Sequence, residues 1–282
     1  MIYSTDLDGK NTEGLGSVLQ LYLHLYAYGK IFKKEIELPD FKNLTHYQHE
    51  NITKSAFHNI VNSFLPFNTE NKESFNNIFI EPNYLLRFFG ELFLNKKKVY
   101  IKELSKKIKY SSDLYFKTNK TISIHIRNIN KIDTDFNKNR EYLSTEKRLF
   151  YNNLLNYLVD KYKDYEIHVF SQGDEKEFKF LVDFPITFHL NTPLMETFYH
   201  LTISNILVTS NSSLSWTAHL FGNNKRVYAR ANFFHSWYLG TILISKSGRP
   251  KNKLTSFVLI QYYRFKAIFK YFYIKKLRPI WN

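Results

Sequence analysis

From residue 121 onward, short runs of β-branched and aromatic residues alternate with longer segments whose apolar positions recur every three or four residues, separated by polar turns. The run 121–126 (TISIHI) predicts a strand, followed by a polar loop to about residue 144 and a helix over 145–161. The same unit then repeats: strand 166–170 (EIHVF), polar turn, short helix near 175–181, and strand 186–190. A helix over 194–204, a strand over 206–209 and a helix over 213–221 follow, and 226–229 (RVYA) is expected to close the sheet. Such alternation predicts a layered α/β domain around a mainly parallel sheet. The first half is less regular. It reads as a strand at 1–5, a turn containing Gly14 and Gly16, an amphipathic helix over 17–28, and a largely helical, Asn- and Lys-rich stretch over 31–110. We divide the chain into 1–115, 116–250 and a helical tail 251–282, with two α/β halves facing a cleft. A single α/β domain with a helical insertion is the alternative.

Composition narrows the function classes. The chain has 282 residues, and its 26 Phe, 21 Tyr and 3 Trp supply core-forming side chains that a disordered polyelectrolyte lacks. With no cysteine, disulfides, thiolate zinc sites, iron–sulfur ligation and cysteine nucleophiles are excluded. No stretch approaches the roughly 18 apolar residues of a spanning helix, and Asp6 and Asp8 stand where a signal peptide would carry positive charge. A cytoplasmic protein is therefore expected.

The net charge of +15 is unevenly spread. Residues 251–282 hold Lys251, Lys253, Arg264, Lys266, Lys270, Lys275, Lys276 and Arg278 and no acid, interleaved with aromatic and aliphatic side chains. Such a helix can lie peripherally in an anionic membrane surface or pack back across the body. A second basic run, 96–109, carries seven lysines and Glu103, the pattern of a solvated helix face or linker.

Candidate chemistry lies in three loops that leave predicted strand C-termini, where open α/β sheets bind ligands. The first begins His125-Ile126-Arg127, the second is 171–175 (SQGDE), and the third is 209–213 (TSNSS). A guanidinium at a strand end grips phosphate oxygens bidentately, and a helix entered through Ser210, Asn211, Ser212 and Ser213 presents amides and a positive dipole end to an anion. Ser and Asn are also ordinary N-caps, and a lone His125 is commonly a hydrogen-bonded core residue. Asp6-Leu7-Asp8 spells a D-x-D pattern seen in metal-dependent transferases, but the spacing is common by chance, and no metal or cofactor is expected.

The order HIRNINKIDTD at 125–135, SQGDE at 171–175 and METFYHLTISNILVTSNSSLSW at 195–216 resembles the donor-binding half of fucosyltransferases of the α1,2-, α1,6- and protein O-fucosyltransferase superfamily, which have a GT-B-like fold. Gly14-Leu15-Gly16-Ser17 resembles the glycine-rich opening loop of the same enzymes, and the matched segments cover about a quarter of the chain. The resemblance implies an inverting, metal-independent glycosyltransferase whose donor is a nucleotide sugar, GDP-fucose first among them, and whose acceptor is a glycan hydroxyl. It makes 116–250 the nucleotide-sugar domain and 1–115 the acceptor side. It places Arg127 on the donor diphosphate, His125 beside the nucleotide, Lys131 near the donor, Asp135 as general base, Asp174 at the guanine edge, and Ser212 and Ser213 on the phosphates. Asn128 and Asn130 depart from the family pattern, which has a second arginine and an acid there.

Inversion needs one base for the acceptor proton and a positive environment for the departing diphosphate. On the residues alone, Asp133, Asp6, Asp8 and Glu13 rival Asp135 as that base. Three other readings stay open: the same fold with another nucleotide sugar, a catalytically inactive glycan-binding relative, and a basic nucleic-acid-binding protein. No nucleic-acid partner is expected, because the excess charge lies in the tail, away from the three loops.

Overall fold

The computed structural model describes Leu15, Gly16 and Leu19 and residues 115–128, 144–230 and 241–272. Six strands form one sheet: β1 (Thr121–His125), β2 (Glu166–Ser171), β3 (Ile186–Leu190), β4 (Ile206–Val208), β5 (Arg226–Arg230) and β6 (Thr241–Ile244). All pair in parallel in the order β3-β2-β1-β4-β5-β6. This is the Rossmann-like doubly wound order, which reverses direction between β1 and β4. The crossovers are α1 (Thr145–Lys161), a 3-10 helix (Glu175–Leu181), α2 (Leu194–Ile203) and α3 (Ser213–Phe221); α4 (Lys253–Phe272) follows β6.

Alternation along each strand decides which layer it faces. Ile122, Ile124 and Ile126 join Ile167, Val169, Ile206, Val208, Tyr228, Ile242 and Ile244 in one apolar cluster with α1. The helix contributes Phe150, Tyr151, Leu154, Leu155 and Leu158, whose three-to-four-residue spacing gives one buried stripe. Each such side chain removed from water is worth about 1.5–3 kcal/mol. The intervening positions, Ser123, His125, His168 and Phe170, face the other layer, where Ser123 Oγ donates to the His200 carbonyl of α2. Helix α3 is buried along its whole length from Leu214 to Phe221.

The expected parallel α/β unit is present, with bounds shifted by a residue at several ends. Two expectations are corrected. RVYA does not close the sheet, because β6 pairs outside β5 through Val227↔Thr241 to Arg230↔Ile244. Gly16 belongs to a helical segment and not to a turn. The expected strand at 1–5, most of the helix over 17–28, the helical stretch 31–110 with its basic run, and the tail beyond residue 272 lie outside the described residues.

Candidate functional site

The reversal between β1 and β4 brings together the loops that the sequence singles out. Ile124 pairs with Val208, so the chain leaves both strands at the same level of the sheet edge. There His125 Nδ1 lies 2.9 Å from Ser210 Oγ, joining the two loops directly. Burial, reinforced by the nearby Arg127 charge, pushes the His125 imidazole down to about 3. His125 is therefore neutral at ordinary pH, and its role here is to hold the Ser210 hydroxyl.

Arg127 follows two residues on and is half-buried. Among the described residues no carboxylate ion-pairs with its guanidinium and no acceptor hydrogen-bonds to it. A partly desolvated cation without a counterion is costly, and its usual partner is an anion. In the third loop, Asn211 Oδ1 is cut off from solvent and has no donor among the described residues. The loop that carries it is thus not optimised for its own satisfaction, a pattern that clusters at functional sites.

Helix α3 is less open than a free N-terminus would be. Ser212 is its N-cap, and its Oγ accepts the Leu214 amide at 3.3 Å. Ser210 N–H donates to Ser215 Oγ at 3.2 Å, and Ser215 Oγ donates to the Ser212 carbonyl. Gly16 packs on this turn so closely that a β-carbon there would lie 2.2 Å from Leu214 N, and Thr217 Oγ1 donates to the Gly16 carbonyl at 2.9 Å. The Ser210 amide and the Ser212 and Ser215 side chains thus bond within the turn itself. Gly16 makes a close backbone approach to α3 that a β-carbon would block.

The second loop is tied to the first. Asn128 Nδ2 donates to the Gln172 carbonyl at 3.0 Å and to Glu177 Oε2 at 2.8 Å, while Glu177 Oε1 accepts the Asp174 amide at 2.9 Å. Asp174 caps the 3-10 helix at an exposed position on the same sheet edge. Gly173, at φ +118°, exchanges two hydrogen bonds with Asn191, which itself sits at φ 57° in the loop after β3. A continuous hydrogen-bonded rim therefore runs along the strand C-termini, from β4 through β1 and β2 to β3.

Lys131, Asp133, Asp135, Asn130, Gly14, Asp6, Asp8 and Glu13 lie outside the described residues. Sequence reasoning passed over a histidine face on the outer strands. His168 Nδ1 lies 2.9 Å from His189 Nε2, and His200 Nε2 accepts the Tyr115 amide at 3.2 Å. The Tyr115 ring stacks on His189 and His200 at 4.2 and 4.5 Å, and its hydroxyl donates to Glu196. Burial depresses all three imidazoles, His189 to about 4, and raises Glu196. The strand period could have found them, because His168 and His189 occupy positions facing away from the α1 core. Among the described residues no group of His, Asp and Glu is arranged to hold a metal ion. An open groove of about 790 Å³ beside Asn156, Asp160, Lys163 and Asp183 lies at the opposite, N-terminal edge of the sheet.

The fold is a Rossmann-like α/β unit whose hydrogen-bonded rim lies along the strand C-termini at the switch point. Comparison of the chain with family profiles, curated protein sequences and solved structures found no match in any of the three.

Proposed function

We propose that the protein is an inverting, metal-independent glycosyltransferase of GT-B-like architecture that takes its sugar from a nucleoside-diphosphate sugar, GDP-fucose being the first candidate, and passes it to a glycan hydroxyl. The observation that carries this reading is Arg127, half-buried and without a counterion among the described residues, beside the His125–Ser210 bridge at the switch point. A diphosphate is the anion that such a crevice accommodates in doubly wound folds. In this reading Arg127 neutralises the charge that develops as the bond between the anomeric carbon and the diphosphate oxygen breaks. Neutral His125 holds Ser210 in place without adding a competing charge. A carboxylate takes the acceptor proton as the new glycosidic bond forms, and Asp135 and Asp133, between β1 and α1 in the sequence, are its candidates. Asp174 is the candidate for the guanine edge, at the rim of the same crevice.

The test is a thermal shift. GDP is expected to raise the melting temperature of the full chain, and Arg127→Ala should abolish that rise while leaving the unliganded melt within a degree or two, roughly the effect expected of an independent surface position. A panel of nucleotides and nucleotide sugars extends the measurement to donor choice. If no member of the panel moves the wild-type melt, the transferase reading fails.

A further inference from the structure

We propose that α4 docks on an anionic membrane surface, lying in the headgroup boundary with one apolar stripe inward. The helix has two unlike faces. Ser256 and Ile260 are buried against the body, with Ser256 Oγ accepting the Leu243 amide of β6 at 3.0 Å. On the opposite side Leu254, Phe257, Val258, Tyr262 and Phe265 are exposed, Leu254 and Phe265 at 73 and 69 %. Their offsets of three, four, eight and eleven residues from Leu254 keep them on one face of a 3.6-residue helix. Exposed Lys253 and Lys266 fall about 100° to either side of that stripe, where their stems can run along the apolar edge and their charges reach lipid phosphates. The whole segment 251–282 carries eight cations and no acid, so the charge complement of the stripe is an anionic surface.

Chemistry within the stripe distinguishes lipid from nucleic acid. Aromatic rings serve either partner, but Leu254 and Val258 offer a base nothing to stack on and gain fully from an acyl boundary. No helix among the described residues is long and apolar enough to cross a membrane, so the contact is peripheral. It also has a sensible place in the molecule. The tight turn at Ser245–Arg249 brings the chain from the C-terminal end of β6 into α4, so the helix begins at the same sheet edge as the crevice, three strands or roughly 14 Å from β1. The inference does not depend on the donor chemistry proposed above.

Co-sedimentation of the full chain with phosphatidylglycerol-rich and with pure phosphatidylcholine vesicles tests it. Binding should favour the anionic vesicles and weaken with salt. The pair Leu254→Ser with Val258→Ser, both on the solvent side, should lower binding at least about tenfold with an unchanged melting temperature. Lys253→Glu with Lys266→Glu should lower it as well. Equal sedimentation with both vesicle types, or none, overturns the proposal. So does a serine variant that binds as wild type while a single-stranded oligonucleotide displaces the protein, since that marks a polyanion site. A concentration-dependent dimer in analytical ultracentrifugation that the serine variant abolishes overturns it in favour of a second copy of this chain.

Discussion

A β-carbon at Gly16 would sit 2.2 Å from the Leu214 amide nitrogen and 2.5 Å from the Ser213 carbonyl carbon, and these are backbone atoms of a buried helix that cannot swing aside. Gly16→Ala is therefore expected to cost about 1–3 kcal/mol, as overpacking does, and Gly16→Val more. Urea titration checks it: an unchanged midpoint would mean that residue 16 and α3 do not meet in solution. Asn128 makes a second case. Its place in the motif suggested a lost second arginine, and the residue alone could not reveal that its amide joins Gln172 and Glu177, 44 and 49 positions away. Asn128→Ala should lower stability by about 1–3 kcal/mol by leaving the Gln172 carbonyl and the Glu177 carboxylate short of a donor. Arg127→Ala, one residue earlier at a half-buried position, should leave stability nearly unchanged. If the two substitutions destabilise equally, their division of labour is wrong. His125 and Arg127 were legible because strand alternation places them on one side of β1; the Ser210 partner of His125 was not, because 85 residues separate them.

Elements were legible where period and punctuation agreed. Helices 145–161 and 213–221 and strand 186–190 were predicted at their observed bounds, since each pairs a clear hydrophobic spacing with polar turns at both ends. β6 was missed because a threonine and three consecutive apolar residues, TILI, carry no period that separates strand from buried helix, and only the β5 partner makes them a strand. The pairing of the outer strands also creates a titration that no single element shows. His125, His168, His189 and His200 all have folded-state pKa values below the ordinary imidazole value, chiefly through burial. The unfolded chain therefore takes up protons that the folded chain refuses, and the stability these neutral imidazoles contribute is fully present above pH 6.5 and declines below it. The loss continues toward about 4 for His189 and about 3 for His125. Each titrating imidazole contributes at most about 1.4 kcal/mol per pH unit, and Glu196, whose pKa is raised, works in the opposite direction. Chemical denaturation at a series of pH values from 7 to 5 should show falling stability on the acid side, with a shallower slope in His189→Phe. A flat wild-type profile over that interval would refute the account.

At the scale of the molecule the decisive contact is the one between the chain's beginning and the switch point. Thr217 Oγ1 reaches the Gly16 carbonyl across 201 residues of sequence, and Leu15 and Leu19 are fully buried. Gly16 thus touches the first turn of α3, the turn that follows β4 beside His125, and it does so from a helical position. No periodicity could have shown this, because a glycine selected for close approach reads in sequence like a glycine selected for a turn. If the crevice is a cleft with one wall from each half, ligand binding must stiffen both walls at once. Hydrogen–deuterium exchange with and without GDP is therefore expected to show added protection at residues 124–128, at 209–214 and, in parallel, at 15–19. The last segment discriminates, since Leu15, Gly16 and Leu19 are helical and so stand outside the pairing of β1 with β4. Protection confined to the first two segments would mean that the donor site belongs to the sheet unit alone, and that Gly16 packs against α3 as a fold contact with no share in the ligand.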